Sequence, residues 1–370
     1  MMQENWYRID NIDELDSPAL VIYPQRVQAN IETLIAMIDD PLRLRPHAKT
    51  HKNKEATQLM MAAGINKFKC ATIAEAEMLA QCGAADIVLA YQPVGPKLKR
   101  LLKLTQHYPN TRFSCLIDNP ASAQEIASAF AAAAQTIGVY IDLNIGQNRT
   151  GITPGDKAIV LYNFCADASG LSPRGLHAYD GHVKGTLEER TIASNEAFAQ
   201  AEAMKKTLLA MGHTDINIIA GGSPSFPIHA RRPVVECSPG TFIFWDKNYL
   251  DQCPEQPFQI AAAVVTRVIS LPNPTHICID LGHKSIAAEN EITKRVFFPD
   301  APGLQPISQS EEHLVLYAGE GHTFQPGDVL YGFPLHVCPT VALYERAYTV
   351  ENGKLSGEWK ILARDRKIGL

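Results

Sequence analysis

The sequence predicts an α/β protein: an N-terminal (β/α)8 barrel of the TIM type followed by a C-terminal all-β domain. Three observations lead there. From about residue 19 to 223, short β-rich runs alternate with helical stretches, which implies right-handed βαβ crossovers and a parallel sheet. No glycine fingerprint follows the first strand, so a barrel fits better than a doubly wound sheet. After about residue 250 the alternation stops: strands separated by Gly/Pro-rich turns take over, and no helix is legible. At 370 residues the chain also exceeds what one core usually supports. The expected division is a barrel over 16–250 and a β domain over 251–370, with 1–15 joining the latter.

The elements follow from the pattern. Residues 19–23 form an apolar strand, 27–38 have helical spacing, 42–50 are extended and 53–63 are helical. Strands continue at 68–72, 86–91, 112–118, 137–145, 176–182 and 216–220. Helices at 73–81, 96–107, 121–135 and 190–211 lie between them. Residues 234–237 and 241–245 are further strand candidates, more than a barrel needs, so the first strand is a candidate for the other domain. In that domain, 260–271, 276–281, 313–317, 328–332 and 341–350 read as strands.

The 46% apolar and 20% charged fractions are those of an ordinary soluble globular chain. A net charge of −5 gives no general attraction to nucleic acid or to anionic membranes. No apolar run reaches the ~20 residues that span a bilayer. Eight scattered cysteines, no Cys-x-x-Cys pair and a polar start, Met1-Met2-Gln3-Glu4, lead us to expect a reduced, cytoplasmic protein.

Against that acidic background one cluster stands out: Arg45-Pro46-His47-Ala48-Lys49-Thr50-His51-Lys52. At period two, Arg45, His47, Lys49 and His51 project from one face of an extended segment. Facing a barrel mouth, they would answer a local anion, and a lysine among cations has a lowered pKa suited to forming an imine. A basic strand facing solvent explains the pattern equally well. Gly221-Gly222-Ser223 follows an apolar strand, where backbone amides approach a phosphate in many barrels, although an ordinary turn is the commoner explanation. Asp142–Gly151 ends another strand and carries Arg149, a candidate anion holder; His177, Tyr179 and His182 follow on the next. In His336-Val337-Cys338, strand alternation would turn imidazole and thiol the same way, as two ligands of a zinc ion with open positions. Alone, His-x-Cys is more often coincidence than a site.

Together these segments resemble the D-threonine aldolase and D-serine dehydratase group of the fold type III, alanine-racemase-like enzymes. The resemblance runs from Leu15–Leu20 through Arg45–Lys52, Asp142–Gly151, Gly175–His182, Gly221–Ser223 and Pro239–Asp246 to His336–Thr340. It implies pyridoxal 5′-phosphate as cofactor, with Lys49 as the catalytic lysine that holds it as a Schiff base. It further implies that His47, Arg149, Tyr179, Gly221, Gly222 and Ser223 bind the cofactor and that His336 and Cys338 bind a divalent metal. Sulfur favours Zn2+, with Mn2+ or Mg2+ as alternatives. The activity implied is that of a lyase acting on D-3-hydroxy amino acids, by dehydration or aldol cleavage, in a homodimer with no nucleic-acid or membrane partner. An amino-acid racemase on the same scaffold is the alternative, with Tyr317, Tyr331 and Tyr344 available as a second base. A non-enzymatic pyridoxal-phosphate carrier resembles the barrel only, so the β domain and the His336/Cys338 pair argue against it.

Overall fold

The structure, a computed structural model, describes residues 5–370, so the polar start Met1–Glu4 lies outside the described residues. In chain order, β1 (Ala19–Ile22) and α1 (Pro24–Ala36) come first. A β/α series follows: α2 (Lys54–Ala62), β2 (Lys67–Cys70), α3 (Ile73–Gln81), β3 (Asp86–Leu89), α4 (Pro96–His107), β4 (Arg112–Ile117) and α5 (Pro120–Ala132). It continues through β5 (Ile137–Asp142), α6 (Asp156–Asp167), β6 (Leu171–Ala178), α7 (Leu187–Ala210), β7 (Asn217–Ala220), α8 (Phe226–Ala230), β8 (Val235–Cys237) and α9 (Lys247–Gln252). The strands β9 (Ala262–Asn273), β10 (His276–Ile279), β11 (Val296–Phe297), β12 (Gln305–Gln309), β13 (Leu314–Tyr317) and β14 (Val329–Pro334) come next. Last are α10 (Val337–Leu343), β15 (Arg346–Glu351) and β16 (Lys354–Lys360). Among the described residues no helix is long and apolar enough to cross a membrane.

The chain divides into two compact units. One comprises residues 34–49, 57–240 and 365–370; the other comprises, among the described residues, 5–33, 50–56 and 241–364. In the first, β2 to β8 pair in parallel and in sequence order. Residues 44–47 close the ring, Leu44 bridging to Cys237 of β8 and His47 to Lys69 of β2. This segment is therefore the eighth stave of the (β/α)8 barrel. Residues 19–23 are not. The barrel strands are buried on both faces, and Val88, Leu116, Tyr140 and Ile219 fill part of the interior. Helix starts are set by local chemistry: Thr72 Oγ1 accepts from Glu75 N to cap α3, and Thr186 and Glu189 form a capping box on α7.

In the second unit β1 pairs antiparallel with β9 and parallel with β15. The sheet runs β12-β13-β10-β9-β1-β15-β16, with β14 on β9 and β11 on β14. Its core gathers Tyr7, Ile9, Leu15, Val21, Tyr23, Tyr331 and Phe333. The Tyr23 hydroxyl donates to the Tyr7 carbonyl at 2.5 Å, and Ile9 N donates to the Tyr331 hydroxyl at 3.0 Å.

Several sequence-based elements differ. The extended stretch 42–50 shortens to the stave at 44–47, because Pro41–Arg43 is a 3-10 turn capped by Asp40 and 48–51 is a turn. Residues 241–245 are no strand: Phe244 N and Trp245 N both donate back to the Thr241 carbonyl, at 3.2 and 2.7 Å, winding the segment. The second unit does contain helix, since α10 occupies 337–343, where the sequence pattern predicts strand. β-branched Val337, Thr340 and Val341 point to strand by propensity, but their burial on one helix face overrides it. Pro339 in the first turn costs nothing, because the first amides of a helix have no partner.

Candidate active site

The basic string is placed by the closing stave. Arg45 N donates to Cys237 O at 2.8 Å and His47 N to Pro239 O at 3.0 Å. This register sends the Arg45 side chain into the barrel, 1% exposed, where it donates to Asp86 Oδ1 and Glu236 Oε2, each at 2.6 Å. Its anions are the protein's own. His47 is buried, and its Nδ1 accepts from Lys49 N at 3.2 Å, fixing the turn on which half-buried Lys49 sits at the carboxyl end of the stave. His51 falls in the other unit, where burial, and then the Lys52 charge, push its pKa down to about 3. The four residues therefore do not share one face: the period of two ends where the stave turns.

Every other barrel residue expected at the site lies at the same carboxyl end, the functional end of such barrels. After β5, Asn144 Oδ1 accepts from Gly146 N and Asn148 N at 3.2 and 3.0 Å, pinning the loop that carries Arg149. The Arg149 guanidinium is exposed and lies 5.0 Å from the centroid of the Tyr179 ring, which follows β6. Two glycines make room for that ring. A Cβ on Gly181 would come within 2.4 Å of it, and one on Gly222 within 3.2 Å.

Gly221 and Gly222 follow β7. Ser225 Oγ accepts from Gly222 N at 3.3 Å and donates to Asp180 Oδ1 at 2.7 Å. His229 Nε2 binds Asp180 Oδ2 at 2.8 Å. Burial opposes the Asp180 charge, but these hydrogen bonds outweigh it and hold the carboxyl below its ordinary range. The glycine turn is thus braced from behind by a buried anion. Ser223 Oγ accepts from Gly240 N at 3.3 Å, tying the β7 and β8 ends together.

The structure adds residues that sequence reasoning missed or left unassigned. Ser238, one step past β8, is 3% exposed, and its buried hydroxyl has no protein partner. Since Ala220 pairs with Cys237, Ser238 stands level with Gly221. Lys69 is 3% exposed on β2, with its Nζ 3.4 Å from His177 Nε2, while His177 Nδ1 lies 2.6 Å from Asp142 Oδ1. The available signal was Lys67-Phe68-Lys69: of two lysines at period two on one strand face, the one deeper in the strand must find an anion or acceptor inside.

The metal candidates lie in the second unit. His336 is the extended N-cap residue of α10 and Cys338 lies in its first turn, and the two side chains hydrogen-bond across the helix start. Burial works against the His336 charge, yet the hydrogen bond and charge of Cys338, followed by those of Glu289, push its pKa up to about 9. Glu289 binds the imidazole through Nδ1, which leaves Nε2 for a metal, the arrangement common to ligating histidines. Cys338 Sγ lies 3.1 Å from Thr50 Oγ1 and 3.6 Å from Thr241 Oγ1. Asp246 Oδ2 accepts from Val337 N at 3.2 Å and so fixes the helix start. Among the described residues no three His, Cys, Asp or Glu converge into a closed site. A soft thiolate with an imidazole fits a zinc ion that keeps open positions.

Comparison with known proteins agrees with this architecture. Residues 22–247 match the family model of the alanine racemase N-terminal domain, and residues 261–350 match that of a serine dehydratase domain. The D-threonine aldolase of Arthrobacter sp. is 30% identical over 362 residues, 96% of this chain and 94% of that protein. The D-threo-3-hydroxyaspartate dehydratase of a Delftia species is 26% identical, covering 90% of this chain and 94% of that protein. The crystal structure of D-threonine aldolase from Filomicrobium marinum superposes with a TM-score of 0.88 at 28% identity, covering 95% of this chain and 96% of that one. The alanine racemase of Clostridium difficile 630 shares the fold, with a TM-score of 0.71 at 12% identity over 94% of this chain and 100% of that one. The chain belongs to the alanine racemase N-terminal domain family, and within it to the group that includes D-threonine aldolase.

Proposed function

We propose that this protein is a pyridoxal-phosphate- and metal-dependent lyase acting on D-3-hydroxy amino acids, with Lys49 as the cofactor lysine. The observation that carries the reading is a chain connection. Lys49 lies in the turn at the barrel mouth, and the next residue, Thr50, has Oγ1 3.1 Å from the thiol of Cys338. The relatives named D-threonine aldolase and D-threo-3-hydroxyaspartate dehydratase carry, by those names, aldol cleavage and dehydration of such substrates.

The residues present fit both groups. The unpartnered Ser238 hydroxyl, level with the Gly221–Ser223 turn, supplies a donor for a phosphate there. His336 Nε2 and Cys338 Sγ suit a divalent cation, zinc first and Mn2+ or Mg2+ as alternatives, which supplies Lewis acidity toward a hydroxyl oxygen. Pyridoxal phosphate, when bound, supplies a ring that accepts the electron pair left at the substrate's α-carbon. The protein's own residues do the rest. Lys49 Nζ binds the cofactor covalently and then moves the proton at the α-carbon, His47 fixes its turn, Tyr179 lines the ring, and Arg149 holds an anionic oxygen beside it. Racemization needs a second base, and two of the three candidate tyrosines are committed elsewhere. The Tyr331 hydroxyl accepts from Ile9 N, and that of Tyr344 donates to Ser285 O at 2.7 Å. The reading includes a cytoplasmic homodimer, and a monomer by light scattering would remove that part.

The test is a screen of the cofactor-loaded protein against D-threonine, D-serine and D-3-hydroxyaspartate, with and without Zn2+ or Mn2+. Glycine plus an aldehyde indicates aldol cleavage, and a keto acid with ammonia indicates dehydration. Lys49→Ala is expected to lose both the visible absorption band and turnover. A wild-type protein that stays colourless with pyridoxal phosphate, or that releases none of these products, overturns the proposal.

A further inference from the structure

Lys69 is a lysine with work left to do. Its amine is buried on β2, beside the stave that leads into the Lys49 turn, and the hydrogen bond it makes goes to a neutral acceptor. Asp142 is held below its ordinary range: burial opposes the charge, but His177, Thr150 and Lys69 outweigh it. An ionised Asp142 accepts a hydrogen bond from His177 Nδ1–H, so Nε2 is left to accept from Lys69. A lysine ammonium has three donors, and this one spends a single donor on His177. It also lies 5.6 Å from the centroid of the Tyr179 ring, the ring that Arg149 approaches at 5.0 Å.

We propose that Lys69 is a second oxyanion-binding residue of the barrel mouth, which with Arg149 holds a negatively charged oxygen of the cofactor or of the substrate joined to it. This rests on the cofactor reading above and adds a residue to it. The electrostatics agree. The groups facing Lys69 are Lys49 on the turn after the stave, Asp142 on β5, Arg149 after it, His177 on β6 and Asp180 after that. Burial first, and then the Lys49 charge, push the Lys69 ammonium down to about 7. The ammonium therefore lacks a full counter-charge, and an arriving oxyanion would supply it. Binding an anion favours the charged amine, so cofactor or substrate uptake above pH 7 should draw in a proton.

The experiment compares wild type, Lys69→Met and Lys69→Gln. Glutamine retains an N–H donor on a side chain one atom shorter and removes the charge, so a lysine that only fills space and donates would be largely rescued by it and an anion-binding one would not. Three quantities are measured: pyridoxal phosphate affinity, the pH titration of the visible band without substrate, and KM against kcat for the D-3-hydroxy amino acid turned over. In both variants a weakening of about 10- to 100-fold is expected, as for loss of one charged hydrogen bond. If it falls on cofactor affinity, with a moved spectral titration, the oxygen belongs to the cofactor. If it falls on KM with affinity and spectrum unchanged, the oxygen belongs to the substrate. A Lys69→Gln protein that matches wild type within about twofold in all three overturns the proposal alone. A wild-type protein that takes up no cofactor overturns the reading beneath it as well.

Discussion

Replacing Arg45 with methionine tests whether the barrel's buried charge network is structural. The guanidinium is 1% exposed and donates to two carboxylates, Asp86 and Glu236, at 2.6 Å each. Each charged hydrogen bond contributes about 1.5–3 kcal/mol, and removing one partner of a buried ion pair costs about 3–5 kcal/mol. Two neighbours soften the loss. Lys67 Nζ stays 2.6 Å from Glu236 Oε1 and Arg112 Nε 3.3 Å from Asp86 Oδ2, and both are in part solvated. Methionine also fills much of the volume. We therefore expect a loss near 3 kcal/mol, read as a lower urea midpoint at unchanged slope. The pH dependence gives a second check. Burial opposes the Glu236 charge, but Arg45 and then Lys67 hold its carboxyl below the ordinary range. A depressed carboxyl stabilises the fold above its unfolded pKa, about 4.3, and that contribution disappears as pH falls through the folded value. The variant should lose less on acidification than the wild type. A loss under about 1 kcal/mol, or an acid limb as steep as wild type, would refute the reasoning.

Two further outcomes follow from the sites. Ser238→Ala removes a hydroxyl with no protein partner, so the cofactor-free protein should keep its stability within about 0.5 kcal/mol, whereas pyridoxal phosphate affinity, by equilibrium titration, should fall about tenfold. A variant that binds the cofactor as wild type does would remove Ser238 from the phosphate seat. For the His336/Cys338 pair, chelation or Cys338→Ala should abolish turnover of D-3-hydroxy amino acids while leaving the visible band in place. Full activity in the chelated protein would exclude the metal.

What was legible in the sequence was whatever repeats locally. The β/α alternation, the end of alternation near residue 250 and the placement of His47, Lys49, Arg149, Tyr179 and Gly221–Ser223 at strand ends all follow from period and punctuation, and in the structure these strand ends share one end of the barrel. Alternation also located the basic string. It could not say that Arg45 turns inward to Asp86 and Glu236 while Lys49 sits on the turn beyond, because that depends on where the stave ends against β8 and β2. Nor could it place β1, whose four apolar residues suit a barrel stave as well as the strand between β9 and β15 that they form. The α10 segment reads as strand by propensity, and only burial made it a helix with His336 as its extended N-cap and Cys338 in its first turn. Lys69, His177 and Asp142 come from three different strands, as does the pairing that sets Ser238 beside Gly221. Such contacts are non-local: sequence fixes which side chains each strand presents, while the order and register of the closed ring decide which of them meet.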